Sequence, residues 1–408
     1  MKKSLLALAA MGAFAGAAQA QSSVTVYGVM DASYTAIEAS QTAVGAGQTA
    51  TTQKVRNTVN GDGALSTSRL GFRGVEDLGG GLSAQFVLEF DLGNIGNGGT
   101  GDPGAGQAAT AVAGATNATA TGGFRGFGPR YSYIGLSDKS MGTLRLGRQE
   151  SAIHGGIASN LAGGANNTLG SLYSGLDNVY QLTSTQTPAV RPHNVFYDNA
   201  VTYISPTING VVVQLQTAQN SYSASDTTPS AGAKVSGGSI SFTGVNNLRV
   251  DTGMVVEAVS TANVSNLKRT TKMLGANYNF GIAQAFALHT QNKIENLNVT
   301  ATNQSLQDVK LTEVGVKAPV TKVIDVWANY FTGTRTNGAN STTMISATAT
   351  VALAAADIKG YQLGTTYAFS KRTTAYGIYG AQEVKGSGVA NGGKLDGSMY
   401  AVGLRHTF

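Results

Sequence analysis

Apolar and polar residues alternate with period two through most of this chain. In the clearest run, 82–91, Leu82, Ala84, Phe86, Leu88 and Phe90 oppose Ser83, Gln85, Glu89 and Asp91. Such alternation predicts a strand with one apolar and one polar face. Comparable runs predict strands at 24–37, 68–74, 82–91, 130–136, 143–149, 195–204, 211–217, 234–242, 248–259, 271–280, 282–291, 308–317, 323–331, 358–369, 373–383 and 395–408. That is about sixteen. In the first, Tyr27 and Asp31 fall on one face, Val26 and Met30 on the other. In 130–136 and 143–149, period two sets Tyr131 and Tyr133 opposite Arg130, and Arg145 opposite Leu144 and Leu146. Gly147 lets the chain bend, which leaves the facing of Arg148 open.

The connections have a rhythm of their own. Short turns near 76–81, 137–142, 205–210, 243–247, 280–281, 318–322 and 370–372 alternate with long polar loops near 38–65, 93–123, 151–194, 261–268, 294–306, 333–356 and 384–394. Transmembrane β-barrels place short turns on the periplasmic side and long loops outside. Tyr203, Tyr278, Tyr367 and Tyr400 fall near strand ends, where an interfacial aromatic girdle would sit. The loop 93–123 is Gly/Ala/Thr/Asn-rich and reads as flexible. The loop 151–194 has no sustained periodicity and a single acid, Asp177. Loops longer than ~12–15 residues inside a compact domain are usually functional. We therefore expect this one to fold into the barrel and narrow it.

Composition supports the barrel. Residues 1–20 have a basic start (Lys2, Lys3), an apolar stretch and Ala18-Gln19-Ala20, the pattern of a signal peptide cleaved after Ala20. Residues 21–408 then form the barrel. Without Lys2 and Lys3 the formal charge is +4 (28 − 2 − 22), too diffuse to imply nucleic acid. There is no cysteine, and 54 Gly and 16 Tyr accompany only 7 Pro. Proline breaks strands, so its scarcity suits long ones. No apolar run after residue 20 approaches the ~20 residues of a spanning helix. Only helices and closed barrels satisfy their backbone in lipid. An all-β, sixteen-stranded antiparallel transmembrane barrel with an inward constriction loop is the expected fold.

Four segments also carry a family likeness. Val24-Thr25-Val26-Tyr27-Gly28-Val29-Met30-Asp31-Ala32, Ser68-Arg69-Leu70-Gly71-Phe72-Arg73-Gly74-Val75-Glu76-Asp77-Leu78-Gly79, the hairpin 130–149 and Tyr400-Ala401-Val402-Gly403-Leu404-Arg405-His406-Thr407-Phe408 resemble Gram-negative general porins of the Burkholderia, Bordetella and Neisseria type. The resemblance implies a homotrimer whose third external loop forms the constriction and whose second reaches a neighbouring protomer. It places Arg69 and Arg130 on the lumen wall facing that loop. Arg73, Arg145 and Asp177 join the expected constriction, with Arg148, Arg191 and His193 as further candidates. Two departures stand out. The loop lacks the Pro-Glu-Phe-Gly-Gly signature, and Phe196-Tyr197 stands where relatives often carry an arginine, so Arg191 or His193 would have to supply the third basic group. Phe408 resembles the terminal aromatic read by the barrel-assembly machinery, against the plainer reading of an ordinary last strand.

Such a pore selects by size and field, because low-dielectric walls focus the field of lumen charges. With Asp177 as the one acid in the loop and four wall arginines facing it, we expect a general diffusion channel that prefers anions. A substrate-specific channel of the same fold is the alternative. Expected partners are outer-membrane lipid and lipopolysaccharide, the assembly machinery, small hydrophilic solutes and inorganic anions. His154, His193, His289 and His406 are dispersed without ligand or triad spacing, so no metal, cofactor or enzymatic activity is expected. A secreted β-solenoid would show a fixed short repeat, and none is present.

Overall fold

The computed structural model describes residues 23–41, 51–60, 63–92, 128–173, 195–220, 232–260, 266–296, 304–337, 343–346, 349–351, 355–387 and 394–408. The first strands are β1 (Ser23–Gln41), β2 (Thr51–Asn60), β3 (Arg69–Gly79), β4 (Leu82–Asp91), β5 (Gly128–Asp138) and β6 (Gly142–Glu150). After helix α1 (His154–Ser159) come β7 (Phe196–Ile204), β8 (Val211–Asn220), β9 (Gly232–Phe242), β10 (Leu248–Ser260), β11 (Asn266–Asn279), β12 (Gln284–Asn296), β13 (Gln304–Pro319) and β14 (Ile324–Asn337). The chain ends with β15 (Thr343–Ser346), β16 (Ala349–Val351), β17 (Ala355–Ala368), β18 (Thr373–Ser387) and β19 (Lys394–Thr407). Among the described residues, β15 and β16 pair with each other, as a hairpin within the long connection between β14 and β17.

The other seventeen described strands form one antiparallel sheet. Each neighbour pairs with the next, and β19 returns to β1 from Val29↔Thr407 to Gln41↔Leu395. On its other edge β1 pairs first with β3 (Ser23–Val29 against Arg69–Val75) and then with β2 (Ser33–Gln41 against Thr51–Asn60). These two strands therefore share one place in the ring, and the closed barrel has sixteen staves. Residues 51–60, which fall in a loop by sequence pattern, are a strand. The seam ends on a reciprocal pair of backbone hydrogen bonds between Gly28 and Phe408, each 3.1 Å.

The outer face is apolar. Val26, Met30, Ile134, Leu136, Leu144, Leu146, Leu215, Leu274, Val314, Leu363, Val402 and Leu404 are all exposed. A soluble protein rarely shows so wide an apolar surface; a barrel in lipid must. Tyr203, Tyr278 and Tyr367 lie on this face near the strand ends, whereas Tyr400, expected there as well, lies midway along β19. The short turns follow their residues: in the link between β7 and β8, Asn209 (φ 50°) and Gly210 (φ 79°) form the two-residue turn between the bridged Ile208 and Val211, and a turn with two left-handed residues matches the strand twist.

Inside, residues 151–173 cross the barrel. Their first part turns once as α1, and Ile153, Ile157, Leu161 and Leu172 pack on Val255, Met273, Leu288, Leu311, Phe331, Ile358 and Val384 of the inner wall. The inner face from β10 to β18 therefore mixes these apolar residues with buried polar ones such as Asp251, Asn277, Glu313, Asn329 and Gln362, because it backs onto the loop. Buried polar groups of the loop find partners on the wall, as burial requires. Asn160 Nδ2 donates to Asp251 at 2.8 Å, Asn166 Nδ2 to Gln362 at 2.7 Å, and the Leu172 N–H to Glu313 Oε2 at 2.6 Å. Asn329 Nδ2 donates to the Gly170 carbonyl at 2.9 Å, and the Asn167 N–H to the Ala64 carbonyl at 2.9 Å.

Gly380 marks the closest approach. A Cβ there would lie 1.7 Å from the Leu169 carbonyl oxygen. Gly380→Val should leave the barrel folded, seen as heat-modifiable migration on gels, while unseating the loop at a cost of about 1–3 kcal/mol. Single-channel conductance should become larger and noisier. A wild-type trace would show that the loop does not rest on this wall.

Candidate functional site

The arginines stand on the wall away from the loop's apolar seat, on β3, β5, β6 and β19. Arg69 faces inward, its partner across the ladder being Asp91. Glu89 on β4 lies within 2.7 Å of Arg130 Nε and 3.9 Å of Arg69 Nε. The Tyr27 hydroxyl donates to the same carboxylate. Arg73 lies nearer the short-turn end, its guanidinium 5.4 Å from the Tyr27 ring centre. Arg145 faces inward against exposed Leu144 and Leu146, and stacks at 5.0 Å on Tyr133.

The facing expected for Tyr131 and Tyr133 is overturned. Ser132, Ile134 and Leu136 are the exposed outward residues, and both tyrosines point into the barrel. Tyr131 donates its hydroxyl to Glu150 and meets Phe196 edge-on at 5.3 Å. Arg130 is inward too, because the ladder slips between Glu89↔Tyr131 and Phe90↔Pro129. The extra residue is a β-bulge, which re-aims one side chain without breaking the strand. Strict period two misplaces the neighbours of such a residue.

Arg148 goes elsewhere. Its Nη1 is 2.6 Å from Asp198, an exposed acid, and its Nε donates to the Pro129 carbonyl at 2.8 Å. It stacks on Phe196 at 5.3 Å, on the ring that also takes Arg130 at 5.0 Å. Phe196 thus supplies an aromatic platform for two guanidinium groups. Asp177, Arg191 and His193 lie outside the described residues.

Arg405 joins the wall without having been a candidate by sequence. On β19 it lies directly across from Asp31 of β1, its Nε donates to Ser66 Oγ at 3.1 Å, and it feels the charge of Arg69. Its signal in the sequence is the alternation of 400–408, which sets Arg405 opposite the outward Tyr400, Val402 and Leu404. Its partner Asp31 can be found only with the barrel closed.

The expected one-sided balance also changes. Asp31, Glu89 and Asp91 share the arginine wall, but they are buried at 1%, 4% and 4% exposure, whereas the Arg69 side chain is 27% exposed and Arg73 is open. These three carboxylates lie behind Arg69 and Arg73, whereas Glu150 near Arg130 is 29% exposed. Beside them, at the start of the loop, His154 Nε2 is 3.8 Å from Glu150 and its ring 5.7 Å from Tyr173. Burial holds its imidazole below the ordinary histidine range; Glu150 opposes this and Arg130 reinforces it.

Comparison with known proteins agrees with this architecture. A family model described as Gram-negative porin matches residues 7–387. Outer membrane porin protein 32 of Delftia acidovorans is 28% identical over 424 residues, covering 100% of both chains. An outer membrane porin protein of Bordetella pertussis strain Tohama I is 33% identical over 215 residues, 52% of this chain and 46% of that one. Among solved structures, an anion-selective porin from Comamonas acidovorans superposes with TM-score 0.62 at 23% identity, covering 95% of this chain and 100% of that one. OmpT of Vibrio cholerae gives 0.59 at 12% identity, over 95% and 98%. With a family match over nearly its whole length and a closed sixteen-stave barrel, the chain belongs to the Gram-negative porins, passive diffusion channels of the outer membrane.

Proposed function

We propose that this porin is a general, anion-preferring channel for small hydrophilic solutes, assembled as a homotrimer, with the segment 151–194 as its constriction. One observation carries the selectivity: on the arginine wall Asp31, Glu89 and Asp91 are buried, and of its acids Glu150 is partly open, while Arg69 and Arg73 face the lumen. A hydrated ion meets the guanidinium groups first. Unit charges ~4 Å apart interact by about 4 kcal/mol at an effective dielectric of about 20. Tenfold selectivity needs only about 1.4 kcal/mol. Residues 151–173, on the other side of the passage, contain no Asp, Glu, Lys or Arg. The anion-selective character of the Comamonas relative and the trimer form recorded for Vibrio OmpT support the same reading. Removal of residues 1–20 and engagement of outer-membrane lipid, lipopolysaccharide and the assembly machinery complete it. Nothing in this reading requires a catalytic step.

A second reading, a substrate-specific channel, draws on the arginine–aromatic stacks at Phe196 and Tyr133. These would favour anions with a flat apolar body, and competition between benzoate and chloride would distinguish it.

For the charged wall, Glu89→Gln should raise the anion-to-cation permeability ratio several-fold, up to about tenfold. The Arg69→Ala/Arg130→Ala pair should lower it. Reversal potentials in salt gradients measure both, and a cation-selective wild type would end the proposal.

For His154 the sign follows from its depressed affinity for protons. With the loop seated the imidazole is neutral, so below its ordinary value of 6.5 the displaced loop takes up the proton first. Seating therefore weakens on acidification. Channel noise should grow between about pH 7 and about pH 5, and His154→Gln should remove that dependence.

Phe408 is proposed as the assembly signal. Phe408→Ala, or its deletion, should cut the yield of membrane-inserted barrel in cells, measured by surface labelling. Protein refolded from urea into detergent should instead show unchanged conductance. Loss of both would make Phe408 an ordinary structural residue.

A further inference from the structure

Residues 63–68, between β2 and β3, leave the ring and turn into the barrel. Gly63, Ala64, Thr67 and Ser68 are buried there, although the segment belongs to neither strand. One carboxylate holds it. Asp31 on β1 accepts the Ser66 N–H at 2.7 Å, the Ser66 hydroxyl at 3.0 Å and the Tyr376 hydroxyl at 2.5 Å. Tyr376 in turn accepts the Ala64 N–H at 3.0 Å. Gly63 closes on the same group, since a Cβ there would lie 1.7 Å from Asp31 Oδ1. A buried carboxylate that takes three donors is a fixed post for whatever is bonded to it.

The segment is bonded both to the far end of the loop and to the arginine wall. Toward the loop, the Ala64 carbonyl accepts the Asn167 N–H at 2.9 Å and the Thr168 hydroxyl at 3.2 Å. The Gly63 carbonyl accepts Asn167 Nδ2 at 3.0 Å. Ala64 and Leu65 pack on Ala162 and Leu169 of the loop and on Tyr376 and Met399 of the wall. Toward the arginines, Ser66 Oγ accepts Arg405 Nε at 3.1 Å, and Arg69 opens β3 directly after Ser68. Ser68 is itself tied down: its hydroxyl accepts the Asp31 N–H at 2.9 Å and donates to the Asp31 carbonyl at 3.1 Å.

We propose that residues 63–68 form a second constriction segment, anchored by Asp31, which fastens the far end of the loop and positions Arg405 as a further selectivity-determining residue. This rests on the reading of 151–194 as the constriction. Arg405 feels the like charge of Arg69, and its long stem would let it swing away. Ser66 engages Nε alone, so both Nη groups are left to a passing anion. A charge held in place attracts that ion without having to reorganise. Different atoms serve the two tasks. Backbone groups of Gly63 and Ala64 hold the loop, whereas the Ser66 hydroxyl orients the arginine, and each can be removed separately.

Reversal potentials and single-channel traces of the whole barrel in planar bilayers test both tasks. Arg405→Gln should lower the anion-to-cation permeability ratio by about threefold. Ser66→Ala alters no charge, yet it should lower the ratio by about twofold; Ser66→Thr, which keeps the hydroxyl, should restore it. Gly63→Val should crowd the segment off Asp31 and give a larger, noisier conductance, with folding checked by heat-modifiable migration. A wild-type ratio in Arg405→Gln or Ser66→Ala, a ratio in Ser66→Thr as low as in Ser66→Ala, or a wild-type trace from folded Gly63→Val would overturn the proposal. Should Gly63→Val not fold, the two serine variants and Arg405→Gln decide it. Every variant is compared with wild type, so a cation-selective wild type would end the anion reading and leave these differences to be judged by themselves.

Discussion

In hydrocarbon a backbone N–H or carbonyl without a partner costs several kcal/mol, and the whole chain answers to that constraint. Its sharpest expression is β1. At 19 residues it is the longest described strand, because it must serve three partners: β19 on one edge, β3 and then β2 on the other. A shorter β1 would reach only one partner on that second edge. The reciprocal bonds between Gly28 and Phe408 finish the seam where the sequence itself stops. Closure removes the open edge that would otherwise recruit another strand.

Once closed, the barrel has an interior to divide. Residues 151–173 occupy one side as a packed core, with Leu172 and Phe331 fully buried, much as a soluble domain would. The passage is left between this core and the arginine wall. That division explains why the apolar inward positions, such as Val255, Leu288, Leu311, Phe331 and Ile358, gather on β10 to β18, whereas the lumen arginines stand on β3, β5, β6 and β19. It also explains why the loop is held mostly by amide side chains such as Asn160, Asn166 and Asn329. The bonds of Asn166 to Gln362 and of Asn329 to Gly170 join neutral groups, which are buried there without the desolvation cost that ion pairs carry.

Much of the ring is legible in the sequence, since alternation in 82–91, 143–149 and 400–408 places Leu88, Leu144, Arg145 and Leu404 on their observed faces. Three features are not. Residues 51–60 are polar at nearly every position, and a strand joined through its backbone leaves no apolar period to read. Arg130 and Tyr131 share a face because a bulge adds one residue, and period two cannot count an insertion it does not see. Arg405 and Asp31 meet only because the first and last strands do. Each failure comes from pairing rather than propensity, the part of a barrel that is non-local in sequence.

The acid among the arginines follows from the same logic. Arg130 is largely buried, its side chain 15% exposed, and a buried guanidinium with no counter-ion is strongly destabilising. Glu89 supplies that counter-ion and also faces Arg69 and Tyr27, so one carboxylate fixes three side chains. Fixed charges stabilise a passing ion better than mobile ones, because nothing has to reorganise as it arrives. The cost is one negative charge on a wall that would otherwise be more positive. By keeping that charge at 4% exposure, behind the groups it orients, the wall retains most of its attraction for anions and gains rigidity besides.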